Sequence, residues 1–239
     1  MPPHAQITHV CFDMDGLLLS TEECYTVAQT RVLDDLGVGG HRFTPALKRK
    51  MMGRPALAAA ETLVSELDIG AIISPADFVA AREAVLADLF PSCDAMPGAE
   101  ALVHHLADNN VPIAVATSSH RRHFDLKTAR HAAMFARFDH VVTGCDPALG
   151  GRGKPDPAIF RVAASRFAAP PADPATVLVF EDAPIGVAAA RAAGMRCVHV
   201  PDARWAAAGE EEGEGDVGAC ATLASLADFR PEEWGLPPF

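Results

Sequence analysis

Short apolar runs alternate with longer amphipathic segments over most of this chain. Four runs are rich in β-branched and other apolar residues, at residues 10–13, 112–117, 176–181 and 196–200, and a weaker one covers residues 140–143. Because helical patterns lie between these runs, the sequence predicts crossover units and an α/β fold with a doubly wound parallel sheet. In such a sheet, ligands bind beyond the carboxyl ends of the strands.

One long interval interrupts this alternation. Between residues 21 and 105 no strand pattern is found, and apolar residues recur at helical spacing. A cap, a proline and an acid in succession predict a helix that starts after Ser74. A helical insertion of this length favours a separate lobe. We therefore predict a core domain of residues 1–19 and 95–239, and a helical domain of residues 20–94.

The composition narrows the range of partners. The chain of 239 residues has a formal net charge of -11, which argues against nucleic acid or an anionic membrane surface as a partner. The six cysteines show no metal-ligand spacing, and no apolar run is long enough for a signal peptide or a membrane span. We expect a cytoplasmic monomer with reduced thiols, and we leave open a transit peptide ahead of this sequence. The acidic, glycine-rich run at residues 209–216 predicts a loop.

Two carboxylates follow the first strand. Asp13 and Asp15 are separated by one residue, so strand alternation would place them on the same face. Gly16 then allows the backbone to turn. Such a pair can share a cation, divide a nucleophile and a proton between its members, or form a solvated turn. The pair alone does not decide among these three possibilities.

Hydroxyl groups follow the second strand. Thr117 ends this strand, and Ser118 comes before a helix that we expect to begin near Arg121. Hydroxyls and free amides at the start of a helix suit a phosphate group. Serine is also a common cap of any helix, so the capping interpretation stays open for Ser118 and Ser119.

Charged residues follow the next two strands. Lys154 precedes a proline and a predicted helix, where its ammonium group can balance anionic oxygens. Glu181 is the last residue of the run that covers residues 176–181, and Asp182 follows it directly. Carboxylates from two strand ends are the hard oxygen ligands that Mg²⁺ prefers. A role of these two acids in starting the next helix is the plainer alternative, and it explains one carboxylate better than four.

Taken in order, these groups resemble the haloacid dehalogenase superfamily. The corresponding segments are FDMDG, ATS, the lysine of GKPDP, and FEDAPIG. The resemblance implies a Rossmann-like core with a small α-helical cap domain, which would be the helical insertion. Segments such as KMMGRP and PEEWGLPPF are similar to plant-type glycerol 3-phosphate phosphatases and to the pseudouridine 5'-phosphatase group. Ser20 departs from the aspartate usual in such sequences, and we expect a modest change in cap closure or stability.

The resemblance also implies catalytic roles. Asp13 would attack phosphorus and form an aspartyl-phosphate, which water then hydrolyses. Asp15 would protonate the departing alkoxide and later accept a proton from the attacking water. Thr117 would hold a phosphoryl oxygen, and Lys154 would offset the negative charge of the phosphoryl group and of Asp13.

A cofactor and substrate contacts follow from the same resemblance. The implied cofactor is Mg²⁺, with these ligands: Asp13, the backbone carbonyl of Asp15, Glu181 and Asp182. Candidate substrate contacts are Gly16, Ser118, Lys50 and Arg54. For Lys50 and Arg54 an exposed helix charge without a ligand is the alternative interpretation.

The resulting hypothesis is a Mg²⁺-dependent phosphatase of a small polyol or sugar phosphate, with glycerol phosphate as the first candidate. Pseudouridine 5'-phosphate or another nucleotide or sugar phosphate is the alternative substrate. A phosphomutase would keep the same acids but return the phosphoryl group to its substrate. A receiver-like signalling domain has similar residues, but it places its acidic pair before the acceptor aspartate and lacks the helical insertion.

Overall fold

The computed structural model describes residues 6–51, 56–202 and 218–239. The predicted loop at residues 209–216 and the candidate Arg54 lie outside these ranges.

The chain divides into two compact units. The first consists of residues 1–20 and 94–239, and the second of residues 21–93. The observed division lies one residue from the boundaries expected from the sequence. The assignment of the first unit as a catalytic core and the second as a cap remains a prediction.

A parallel sheet of six strands forms the centre of the first unit, in the order β3-β2-β1-β4-β5-β6. The strands are β1 (His9–Phe12), β2 (Ile113–Thr117), β3 (His140–Thr143), β4 (Val177–Glu181), β5 (Arg196–His199) and β6 (Ala221–Thr222). The predicted α/β fold with a doubly wound parallel sheet is thus confirmed. The sequence did not predict β6, because two residues are too few to show a strand pattern.

Helices surround this sheet and make up the second unit. In chain order the α-helices of the described residues are α1 (Thr21–Asp35), α2 (Pro45–Met51), α3 (Ala56–Glu66), α4 (Pro75–Leu89), α5 (Ala99–Asp108), α6 (Arg121–Thr128), α7 (Ala132–Phe135), α8 (Ala158–Ser165) and α9 (Pro184–Ala192). Within the ranges that the structure describes, no helix is both long and apolar enough to cross a membrane.

The central strands are buried on both faces, as expected for a parallel sheet covered by helices. Every residue of β1, β2 and β4 is buried. On one face Phe12 stacks on Phe180 with ring centroids 5.0 Å apart, and Phe229 meets Phe180 edge to face. The C-terminal segment docks on this unit through the buried Trp234, whose carbonyl accepts a hydrogen bond from Ile7.

The second unit consists of helices, and the apolar faces of α1 to α4 pack around one core. The predicted start of α4 is confirmed, since the hydroxyl of Ser74 accepts a hydrogen bond from the amide of Asp77 at 3.1 Å. In α3, Leu63 is fully buried and belongs to this core, whereas Leu57 is 50% exposed.

Leu63→Ala should destabilise the protein by about 2–5 kcal/mol, because it leaves a cavity in a packed core. Leu57→Ala is a matched control on the same helix, and we expect it to change the free energy of unfolding by less than about 0.5 kcal/mol. Urea unfolding followed by circular dichroism measures both values. Equal losses of stability in the two variants would contradict the packing described for α3.

Candidate active site

The first candidate residue, Asp13, lies directly beyond the end of β1. Its amide donates a hydrogen bond to the carbonyl of Phe180, so the chain still follows β4 at this point. Regular strand geometry ends at Phe12, and the chain turns between Asp15 and Leu19. Strand alternation, from which we expected the two acids to share a face, therefore does not extend to them. Asp13 and Asp15 instead contact different partners.

Lys154 joins three strand ends. Its ammonium group lies 2.5 Å from Asp13 Oδ1 and 2.5 Å from Glu181 Oε1, and it donates to the carbonyl of Ala116 at 3.1 Å. All three charged side chains are at most 8% exposed. Buried charges of this kind depend on one another, and removing one partner of a buried pair typically costs about 3–5 kcal/mol. The lysine is therefore fixed by the two carboxylates that it balances.

These contacts shift the protonation equilibria of the group. Burial raises the pKa of the Asp13 carboxyl to about 7; Lys154 opposes this rise, while Glu181 and Asp15 add to it. Burial lowers the pKa of the Lys154 ammonium, but Asp13 and Glu181 outweigh this effect and hold it above its ordinary value. Burial is thus the main cause of the raised pKa of Asp13, and the neighbouring carboxylates add to it.

Three carboxylates are arranged as a cation site would require. Oxygens of Asp13, Glu181 and Asp182 lie within 4.8 Å of one another. Carboxylate oxygens are the ligands that Mg²⁺ and Ca²⁺ use, and a divalent cation would offset the repulsion among them. The side chains present therefore fit such a cation. The side chain of Asp15 is not part of this cluster, and the sequence had assigned only its backbone carbonyl to the metal.

Two glycines leave room for these carboxylates. A Cβ atom on Gly16 would lie 2.2 Å from Asp182 Oδ2, and the φ of Gly16 is +78°, a value that L side chains rarely adopt. A Cβ atom on Gly186 would lie 2.0 Å from the carboxyl carbon of Glu181. Gly16 was a candidate substrate contact, and the structure gives it a steric role beside Asp182.

The Asp15 carboxylate has its own set of donors. Lys127 Nζ lies 2.6 Å from Oδ1, and the hydroxyls of Ser119 and Thr117 donate to Oδ2 at 2.7 and 3.3 Å. Sequence reasoning did not identify Lys127 or this role of Ser119. A signal was present, because Lys127 lies three residues after the buried Phe124 and thus on the buried face of α6.

The structure of the loop after β2 contradicts the interpretation of Ser118 and Ser119 as helix caps. Neither Ser118 nor Ser119 caps α6; the cap is His120, whose ring Nδ1 accepts from the amide of Arg122 at 3.4 Å. Ser119 bonds to Asp15 instead, and Ser118 is exposed. A role of Ser118 in substrate binding stays a prediction.

The candidates of the helical unit are described only in part. Lys50 is on α2, where its ammonium group pairs with Glu66 at 2.8 Å and both side chains are about half exposed. Arg54 lies outside the described residues. Neither substrate contact is tested by these observations.

Comparison with known proteins shows the family of this chain. Residues 7–194 match the family model described as haloacid dehalogenase-like hydrolase. The chain belongs to this family. Relatives of this HAD-like hydrolase include (DL)-glycerol-3-phosphatase 2 of Arabidopsis thaliana, which is 50% identical over 98% of this chain and 93% of its own. A probable pseudouridine-5'-phosphatase of Drosophila melanogaster is 42% identical over 98% of this chain and 96% of its own.

A solved structure of similar fold is a HAD family hydrolase from Deinococcus radiodurans with bound phosphate and sodium. Its TM-score is 0.76 at 25% identity, and the match covers 98% of this chain and all of the other. A putative beta-phosphoglucomutase from Thermotoga maritima has a TM-score of 0.70 at 28% identity, and the match covers 96% of this chain and 97% of the other. The fold of this HAD-like hydrolase therefore agrees with its family.

Gly16→Ala should weaken the binding of a divalent cation at least roughly tenfold, because the added methyl group displaces the carboxylate of Asp182. Gly37→Ala is the matched control: the φ of Gly37 is +71°, and nothing lies within 4 Å of the place that its new methyl group would occupy. Isothermal titration with Mn²⁺ measures both affinities. An unchanged affinity in Gly16→Ala would show that Asp182 does not bind the cation.

Proposed function

We propose that this protein is a Mg²⁺-dependent phosphatase of small phosphate monoesters that acts through an aspartyl-phosphate. The observation that carries this proposal is the buried Asp13, bonded to Lys154 and surrounded by two further carboxylates. Family membership and two phosphatase relatives at 50% identity support it.

In the first step a carboxylate oxygen of Asp13 attacks phosphorus. A new bond forms between this oxygen and phosphorus, and the bond from phosphorus to the ester oxygen breaks. Asp15 gives its proton to the departing oxygen, which leaves as an alcohol. The two acids have separate partners for these tasks, since Asp13 contacts Lys154 and Asp15 contacts Lys127.

Lys154 and Thr117 stabilise the phosphoryl group in this proposal. Lys154 offsets its charge next to the nucleophile. Thr117 ends β2 with a hydroxyl that is 3.3 Å from Asp15, a long contact that a phosphoryl oxygen can replace. Mg²⁺, when bound by Asp13, Glu181, Asp182 and the backbone carbonyl of Asp15, supplies positive charge that orients the phosphoryl group and stabilises the transition state.

In the second step water hydrolyses the aspartyl-phosphate. Asp15, now ionised, takes a proton from the water as the water oxygen bonds to phosphorus. The bond between phosphorus and the Asp13 oxygen breaks, inorganic phosphate leaves, and both acids return to their starting states.

Residues outside the carboxylate cluster would select the substrate. We assign the first unit as the catalytic core and the helical second unit as a cap. Lys50 and Arg54 are the proposed cap contacts, and Ser118 and Gly16 the proposed core contacts. Glycerol phosphate is the first candidate substrate, because the two glycerol-3-phosphatases have higher identity to this chain than the pseudouridine-5'-phosphatase relative. A monomer in the cytoplasm remains the expectation from the sequence.

A phosphomutase is the second candidate function. The similarity to a putative beta-phosphoglucomutase at 28% identity favours it. Such an enzyme would return the phosphoryl group of Asp13 to a sugar phosphate instead of to water. Conversion of one hexose phosphate isomer to another without release of inorganic phosphate would decide for this function.

Asp13→Asn should lower phosphate release at least roughly a thousandfold, because an amide cannot form the aspartyl-phosphate. Asp108→Asn provides the control, since that acid is 67% exposed and pairs with Arg137 on the surface. Release of inorganic phosphate from glycerol 3-phosphate with Mg²⁺ is the assay. Full activity of Asp13→Asn would refute the proposed nucleophile.

A panel of phosphate esters tests the substrate. We expect glycerol 3-phosphate to have a kcat/KM at least roughly tenfold above those of hexose phosphates, pseudouridine 5'-phosphate and flavin mononucleotide, because binding groups that fit one alcohol reject others. Rates of phosphate release at several concentrations of each ester give these values. A higher kcat/KM for pseudouridine 5'-phosphate would replace glycerol phosphate as the substrate.

A further inference from the structure

The fully buried lysine of α6 has no part in the steps described above. The side chain of Lys127 is 0% exposed, and its ammonium group lies 2.6 Å from Asp15 Oδ1 and 2.8 Å from Ser119 Oγ. A buried ammonium group destabilises a protein unless charged and polar partners compensate it. Its position therefore depends on Asp15, and the position of Asp15 in turn depends on it.

The donors around Asp15 fix the plane of its carboxyl group. Lys127 donates to Oδ1 and Ser119 donates to Oδ2, so Asp15 keeps a donor on each oxygen when Thr117 turns to a phosphoryl oxygen. Ser119 also accepts from Lys127, and its amide donates to Thr117 Oγ1 at 3.0 Å, so the donors hold one another in place. These residues come from the end of β2 and from the segment and helix that follow it. Such elements position a side chain better than a long loop does.

We propose that Lys127 is a positioning residue for proton transfer by Asp15. Lys127 holds the carboxyl group in the orientation from which the proton reaches the departing ester oxygen. The inference rests on the proposed phosphatase function. Lys127 itself contacts no reacting atom: the ester bond to phosphorus breaks, its electron pair remains on the departing oxygen, and the proton from Asp15 neutralises that oxygen.

Substrates with different leaving groups distinguish the positioning role of Lys127 from a merely structural one. An alkoxide such as that of glycerol is a poor leaving group and needs the proton of Asp15 as the bond breaks. The p-nitrophenolate ion leaves without a proton. Loss of the orienting contact should therefore slow alkyl phosphates far more than p-nitrophenyl phosphate, whereas a general disturbance of the site would slow both.

The ratio of kcat/KM for glycerol 3-phosphate to that for p-nitrophenyl phosphate is the measurement. This parameter reports the steps up to phosphoryl transfer, so the later reaction of water does not affect it. Lys127→Met keeps the length of the side chain and removes its charge. We expect a loss of about a hundredfold on glycerol 3-phosphate and of less than about fivefold on p-nitrophenyl phosphate. Lys127→Arg, which keeps the charge, should restore part of the ratio.

Lys48→Met is the matched control. Lys48 is also buried, at 5% side-chain exposure, and it pairs with Glu22 at 3.2 Å in the helical unit. Its loss should leave the ratio of the two esters unchanged, whatever its effect on stability. If Lys127→Met does not fold, Ser119→Ala provides the same test, because it removes a donor to Asp15 Oδ2 and an acceptor from Lys127.

An equal loss on both esters, or no loss on either, in the folded variant would overturn the positioning role. Failure of the unaltered protein to release phosphate from either ester would instead overturn the proposed function, and the inference with it. The two failures are distinguishable, because the first leaves the activity of the unaltered protein intact.

Discussion

The salt bridge from Lys154 to Asp13 and Glu181 is the interaction on which the site depends. It brings together the ends of β1 and β4 through the two carboxylates, and the end of β2 through the carbonyl of Ala116. Backbone pairing aligns these strands, but it leaves their polar ends with like charges side by side. The lysine allows the two acids to be buried together, and this burial shields the proposed nucleophile Asp13 from water.

A second lysine gives the two acids of the first motif different partners. Asp15 is bonded to Lys127, which is distinct from the lysine that balances Asp13. The two acids therefore contact different cations, although only Met14 lies between them. The turn that follows makes this possible, because Gly16 adopts a positive φ and leaves space for Asp182. Local backbone geometry and two buried cations thus give neighbouring carboxylates different environments.

The sequence predicted the parallel sheet and the helical interval because both depend on local periodicity. Predictions from the sequence failed where contacts between distant residues determine the position of a side chain. Ser119 resembled a helix cap, yet it bonds to Asp15, and Lys127, which the sequence did not single out, is fully buried. The alternation argument does not extend to Asp13 and Asp15, because β1 ends one residue early. Pairing across 112 residues, as between Asp15 and Lys127, is set by tertiary packing and leaves only a faint pattern in the chain.

The balance of charge at the strand ends bears on the cofactor. Asp13, Asp15, Glu181 and Asp182 bring four carboxyl groups to this edge, and Lys127 and Lys154 bring two ammonium groups that contact three of them. Both lysines are committed to carboxylates, so a phosphate dianion that approached this edge would meet an excess of negative charge. A divalent cation beside Asp13 and Asp182 would offset that excess where the phosphoryl group is proposed to bind. Dependence on Mg²⁺ would therefore follow from the charges that this chain itself places at the strand ends.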